Sequence, residues 1–121
     1  MRLVTRADFD GLVCGSLITA MEEVDSYLFV EPKFVQDGQA EIRPGDVIAN
    51  LPYRPNCTLW FDHHLTNTDA WQSHAGSSKK ETIVPGKGGF RIAPSASRVV
   101  YEYYMEVQGG RMKDEIGRAH V

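Results

Sequence analysis

Two short stretches of the chain carry the side chains that can do chemistry. In "LWFDHH", Asp62, His63 and His64 directly follow an apolar run. In "TRADFDG", Asp8 and Asp10 lie two residues apart after another apolar run. A mixed set of carboxylate and imidazole donors suits Mn²⁺ or Mg²⁺ better than the thiolate-rich sets of structural zinc do. A cation held there can polarise a phosphoryl oxygen or lower the pKa of a bound water.

Each stretch also has a purely structural interpretation. An isolated Asp-His-His is as readily a polar turn after a strand, and "DFDG" is commonly an N-cap and turn at the positive end of a helix dipole. Residues two apart on an extended chain point to the same side, so Asp8 and Asp10 can aim at one point. Gly11 then lets the backbone turn tightly. Because both stretches follow apolar strands, metal binding is favoured when they are taken together.

The spacing of apolar residues predicts the elements that position these side chains. The expected strands lie within residues 2–5, 25–32, 45–52 and 57–62. A stripe at helical spacing predicts a helix from Asp10 to Val24. A second helix has Ser95 or Ser97 as its N-cap and ends at the glycines at 109–110, beyond which another helix begins.

Short apolar strands that alternate with amphipathic helices indicate an α/β domain with a largely parallel sheet flanked by helices. Residues 1–121 are expected to form a single domain, in which the polar residues 65–93 form a long loop or insertion with a small hairpin. Ligands of such sheets collect at the carboxyl ends of the strands, which brings the two stretches together. Three bare carboxylates there would repel one another, and a cation removes that repulsion.

Composition is ordinary for a globular protein, with 42% hydrophobic and 24% charged residues. The net charge of −3 excludes a general attraction to nucleic acid. Apolar runs are too short to span a membrane, and the charged start does not fit a signal peptide, so we expect a cytoplasmic location. Cys14 and Cys57 are expected to be unpaired. His74 and His120 lie in polar segments and are assigned no role.

In their order along the chain, "DFDG" before an apolar helix, "DVIANLPY", "LWFDHH" and "APSASRVVYEYY" resemble the DHH phosphoesterase superfamily. The resemblance runs from about residue 1 to residue 104 and is greatest to exopolyphosphatase-related proteins. It implies the Rossmann-like, three-layer first domain of that family. It also implies metal-dependent hydrolysis of a phosphate-rich small molecule, polyphosphate or short oligonucleotide.

The resemblance also assigns roles to the residues of the two stretches. It implies that Asp8, Asp10 and His63 are metal ligands. Asp62 would be a further ligand or would orient the histidines. His64 would contact the phosphate or a bridging water. The catalytic residues expected on this basis are Asp10, His63 and His64.

Three departures from the family pattern limit these roles. Arg6 and Val4 stand where a histidine or aspartate ligand precedes the acidic pair, and Asn50 replaces an aspartate that bridges two metals. A fourth-motif aspartate and the carboxy-terminal domain are also missing. We therefore expect one ion rather than two, with the ligands Asp8, Asp10, Asp62 and His63. The alternative is an inactive or truncated domain that binds a ligand or partner without turnover.

Other polar residues are candidates for substrate contact. Arg6 can pair with the carboxylates or grip a phosphate, and Asn50 can be bonded within a turn or touch a ligand. Ser95, Ser97 and Arg98 begin a helix whose N–H groups can hold an anion, although an ordinary cap is the default explanation. A sheet that ends early would leave an apolar face uncovered, so we expect a homodimer or a piece of a longer protein.

Overall fold

The computed structural model describes residues 1–119, and of residues 115–119 only the backbone; His120 lies outside the described residues. Its core is a six-stranded sheet in the order β2-β1-β3-β4-β6-β5. The strands are β1 (Arg2–Thr5), β2 (Ser26–Phe29), β3 (Asp46–Ala49), β4 (Leu59–Asp62), β5 (Thr82–Val84) and β6 (Gly88–Phe90). The helices are α1 (Phe9–Met21), α2 (Pro32–Gln36), α3 (Thr68–Ala75) and α4 (Ala96–Ala119), with a 3₁₀ turn at Leu65–Asn67. All neighbouring strands are parallel except β5 and β6.

Successive residues of a strand point to opposite faces of the sheet. Helices cover both of these faces. On one face Leu3, Val47 and Phe61 pack with residues of α1 and α4. On the other face Val4 and Trp60 pack with residues of α2 and α3. Every residue of β3 and β4 is buried, as expected for central parallel strands. The prediction of a three-layer α/β fold is confirmed.

The strand order places the chemistry at one edge of the sheet. β1, β3 and β4 are consecutive parallel neighbours, so their carboxyl ends lie side by side. Asp8 and Asp10 follow β1, Asn50 follows β3, and Asp62 ends β4. Because neighbouring strands lie about 4.8 Å apart, the tips of β1 and β4 are separated by roughly 10 Å of sheet. The two stretches therefore share an edge.

The structure refines two expectations about secondary structure. The small hairpin expected within residues 65–93 is present as β5 and β6, but the rest of this segment is not a long loop. It contains the 3₁₀ turn and α3, and the apolar side chains Trp71 and Phe90 are fully buried. The helix end expected at the glycines at 109–110 is found one residue earlier, at the non-helical Gln108 (φ −138°, ψ 47°). The second helix expected beyond it is the part of α4 that continues to Ala119.

The described residues also bear on the remaining expectations. Cys14 and Cys57 are free and buried, and burial raises the pKa of the Cys57 thiol to about 12. Exposed apolar side chains lie along α1 and the edge strand β2, among them Leu12, Tyr27 and Phe29. A homodimer formed through this surface stays a prediction. Within residues 1–119, none of the helices has the length and apolar character needed to cross a membrane.

His74 is partly buried, although its polar neighbours in the sequence predicted exposure. Its ring packs against Tyr53, Trp60 and Trp71, and its Nε2 lies 2.9 Å from the carbonyl oxygen of Lys87, to which it donates a hydrogen bond. Burial lowers the pKa of His74, and the nearby Lys87 charge acts in the same direction. The hydrogen bond opposes this shift but does not cancel it.

We predict that His74 makes the fold less stable in mild acid. Since its pKa is lower in the folded than in the unfolded chain, its full contribution is present above about pH 6.5 and is lost as the pH falls below that value. His74→Gln keeps a donor for Lys87 but does not titrate. Urea unfolding at pH 7.5 and pH 5.5 should show a larger loss of unfolding free energy for the wild type than for His74→Gln. Equal losses would contradict the prediction.

Candidate functional site

The buried carboxylate of Asp62 organises the end of β4. Asp62 is fully buried, and its Oδ1 accepts a hydrogen bond from His64 Nδ1 at 2.7 Å. Its Oδ2 accepts from the backbone N–H of His64 at 3.2 Å and from Asn67 Nδ2 at 2.7 Å. A buried charge needs such donors, because burial removes its hydration. Asp62 therefore orients His64, which was one of its two expected roles.

Both histidines are held through the same ring nitrogen, Nδ1. His64 donates Nδ1–H to Asp62, and His63 donates Nδ1–H to the carbonyl oxygen of Ala93 at 3.1 Å. In a neutral imidazole the other nitrogen, Nε2, then carries a lone pair that can accept a proton or bind a cation. The two ring centroids lie 4.4 Å apart. The two imidazole rings are thus held side by side, each with its Nδ1 bonded within the protein.

Asp10 joins the start of α1 to the start of α4. Its carboxylate accepts hydrogen bonds from the backbone N–H of Ala96 at 2.9 Å and of Ser97 at 3.0 Å. Ser95 caps the same helix, because its Oγ accepts from the backbone N–H of Arg98 at 3.2 Å. Negative charge is favourable at this end of a helix. Asp10 therefore occupies the place predicted for a bound anion, and the expectation of Ser95 as N-cap is confirmed.

Asp8 and Arg6 form a tight unit at the end of β1. Asp8 Oδ1 accepts a hydrogen bond from the backbone N–H of Gly11 at 2.8 Å and thereby caps α1. Asp8 Oδ2 lies 3.2 Å from Arg6 Nε. Gly11 packs directly against the carbonyl of Arg6, where a Cβ atom would collide. The structure thus shows the ion pair that the sequence left open for Arg6.

A cleft of about 340 Å³ brings Arg6, Asn50 and His64 together. Its remaining wall consists of Pro32, Gln36, Leu51, Pro52, Thr66 and Asn67. Sequence reasoning missed the polar members Gln36, Thr66 and Asn67, and the only local signal was the closeness of Asn67 to the Asp-His-His triplet. Arg98 lines a different cleft, where its guanidinium pairs with Glu102. The cleft beside His64 therefore lacks this predicted substrate contact.

The donor set suits a hard cation by type but is not assembled around one point. Histidines that bind metals usually donate their other N–H to a carboxylate or carbonyl, as both do here. Every carboxylate oxygen of Asp8, Asp10 and Asp62 has a partner within the protein. Across the described part of the chain, no three His, Cys, Asp or Glu side chains are placed to hold an ion. The predicted metal ligands share an edge, and a common ion would require them to move closer.

Comparison with solved structures gives an informative likeness. The chain is similar to a solved structure of the pGpG-specific phosphodiesterase PggH from Vibrio cholerae, with 44% sequence identity and a TM-score of 0.60. The alignment covers 85% of this chain and 28% of that structure's chain, so the present chain spans less than a third of its length. No protein-family model matches. No curated protein matches either.

We predict that Gly11→Ala destabilises the fold, because the added Cβ would push the first turn of α1 away from Arg6. Overpacking of this kind costs about 1–3 kcal/mol. Gly15→Ala is the matched control, since its Cβ would meet only the flexible end of Leu3 at 3.3 Å. That change should be neutral or raise stability by up to about 1 kcal/mol, because alanine favours helix. Urea unfolding measures both, and equal stabilities would refute the steric argument.

Proposed function

We propose that this chain is the first α/β domain of a DHH-type phosphoesterase that hydrolyses a phosphodiester of a short oligonucleotide with a divalent cation. The observation that carries the proposal is the 44% identity, over 85% of the chain, with a pGpG-specific phosphodiesterase. The geometry supports it, because an oriented imidazole and a guanidinium line one cleft at the carboxyl edge of a parallel sheet. The dinucleotide pGpG is therefore the first substrate to test, before polyphosphate.

Arg6 and His64 are suited to two different tasks in this reaction. A guanidinium can hold two oxygens of a phosphoryl group at once, and Arg6 retains donors beyond the Nε that faces Asp8. His64 Nε2 can take a proton from the attacking water and return it to the leaving oxygen. When His64 is protonated, the negative charge of Asp62 at 2.7 Å stabilises the imidazolium. His64 would therefore be the general acid–base.

We propose Asp8, Asp10, Asp62 and His63 as the residues that would hold Mn²⁺ or Mg²⁺. When bound, such an ion neutralises phosphoryl charge and lowers the pKa of a bound water. One ion is proposed rather than two, because Arg6 and Asn50 supply no anionic ligand. A substrate that extends past Asp10 along α4 would be needed for the proposed substrate contacts of Ser95, Ser97 and Arg98.

A second candidate function is ligand binding without turnover. It is favoured by the Arg6–Asp8 pair, because a guanidinium beside Asp8 already balances charge that a cation would otherwise balance. The dispersed donor set points the same way within residues 1–119. Such a domain would still bind a phosphate-containing ligand in the cleft beside His64.

The proposal predicts metal-stimulated cleavage of pGpG that depends on His64. His64→Asn places an amide nitrogen near the former Nδ1, so it keeps the bond to Asp62 and removes Nε2. Because general acid–base catalysis contributes about 10²–10⁴-fold, the variant should lose at least a hundredfold in kcat. Its melting temperature should be unchanged. His74→Gln is the control and should retain activity, because His74 lies outside this cleft.

The same assay separates the two candidate functions. Binding of pGpG without cleavage, with Mn²⁺ or Mg²⁺ present, would establish the non-catalytic alternative. Full activity of His64→Asn would show that His64 is not the proton carrier.

Asp10→Asn should also abolish metal stimulation, and it should lower stability by about 1–2 kcal/mol, because Asp10 accepts two N–H groups of α4. The activity of Asp10→Asn is therefore measured only under conditions in which its unfolding curve shows that the protein is folded. Metal-stimulated turnover that survives this change, in folded protein, would contradict the proposed ligand set.

A further inference from the structure

Asn50 has an unusual position at the end of β3. Its backbone lies in the left-handed region (φ 60°), and its N–H donates to the carbonyl of Phe61 at 3.0 Å. Only 5% of the residue is exposed. Among the described residues, its side-chain amide has no hydrogen-bond partner, and Asn50 lines the cleft that also contains Arg6 and His64.

The backbone conformation does not by itself explain an asparagine here. Glycine adopts positive φ with less strain than any other residue, and asparagine and aspartate tolerate it better than most. Among the described residues, the fully buried side-chain polar atom that lacks a partner is Trp71 Nε1 and not an atom of Asn50, so the amide of Asn50 keeps access to solvent. Because Asn50 is otherwise buried and lines the cleft, the cleft is where a partner from outside the protein can reach this amide.

We propose that Asn50 is a substrate-binding residue whose Nδ2 donates a hydrogen bond to a phosphoryl oxygen that Arg6 also contacts. This inference rests on the proposed function and specifies how the same site holds its substrate. A neutral donor next to a guanidinium suits the non-bridging oxygens of a phosphodiester. An aspartate at this position would instead set a negative charge against them. Asparagine at this position thus supplies a neutral phosphate donor to the cleft.

The chain provides a matched control for this position. Asn56 is the other described non-glycine residue with positive φ (81°), but it is exposed and lies before β4, at the opposite end of the strand. Glycine fits both backbone positions, so Asn50→Gly and Asn56→Gly should keep the wild-type melting temperature. Asn50→Asp adds a nearly buried carboxylate to an edge that already holds three, so it should lower the melting temperature, whereas Asn56→Asp changes an exposed residue and should not. Any change in binding at Asn50 alone then reports the side chain.

The experiment measures KM and kcat for pGpG and, by NMR titration, the Kd for inorganic phosphate. A hydrogen bond to a charged group is worth at least about tenfold in affinity. Asn50→Gly should therefore raise KM for pGpG and Kd for phosphate about tenfold, and Asn50→Asp should raise both further. Both Asn56 variants should bind as the wild type does.

Two results would overturn the inference in distinguishable ways. Unchanged phosphate affinity in folded Asn50→Gly would show that the amide does not contact the anion, whatever the activity. An equal loss in the Asn56 variants would show that positive-φ positions act through the fold. If the wild type fails to cleave pGpG, the proposed function fails, and the phosphate titration still decides the role of Asn50.

Discussion

The carboxylate of Asp10 at the amino end of α4 is the interaction on which the rest of the site depends. It accepts hydrogen bonds from Ala96 and Ser97, which lie 86 and 87 positions further along the chain. It thereby holds the helix that covers one face of the sheet. The segment just before α4 in turn provides the carbonyl of Ala93 that orients His63. A single acidic side chain thus sets the spacing between α1, α4 and the histidine pair.

The second constraint is the charge balance at this edge. Asp62 is fully buried and is balanced by donors from His64 and Asn67, whereas Asp8 is balanced by Arg6. Each acidic group has therefore found a different local solution to the same electrostatic problem. Because each carboxylate has its own partners, the edge is stable and the three carboxylates do not converge on one point. It also leaves Arg6, His64 and Asn50 facing the cleft.

Much of the site could be predicted from spacing alone. Apolar runs identified four of the five parallel strands, β1 to β4, and the polar residues directly after β1 and β4 were expected at one edge. Within residues 65–93 the prediction found the hairpin but missed α3, because the few large apolar side chains there are scattered among polar residues and show no regular period. The break at Gln108 was predicted to within a residue, since two glycines after a helix normally indicate its end.

The sequence by itself determined the types of donor, their order and their position at strand ends, because these follow from local periodicity. Only the tertiary structure decided the partner of each oxygen: Asp10 with α4, Asp62 with His64 and Asn67, and Asp8 with Arg6. It also decided that Asn50 lines the cleft beside His64. Such pairings depend on how distant segments pack, and the spacing of residues along one segment does not contain that information.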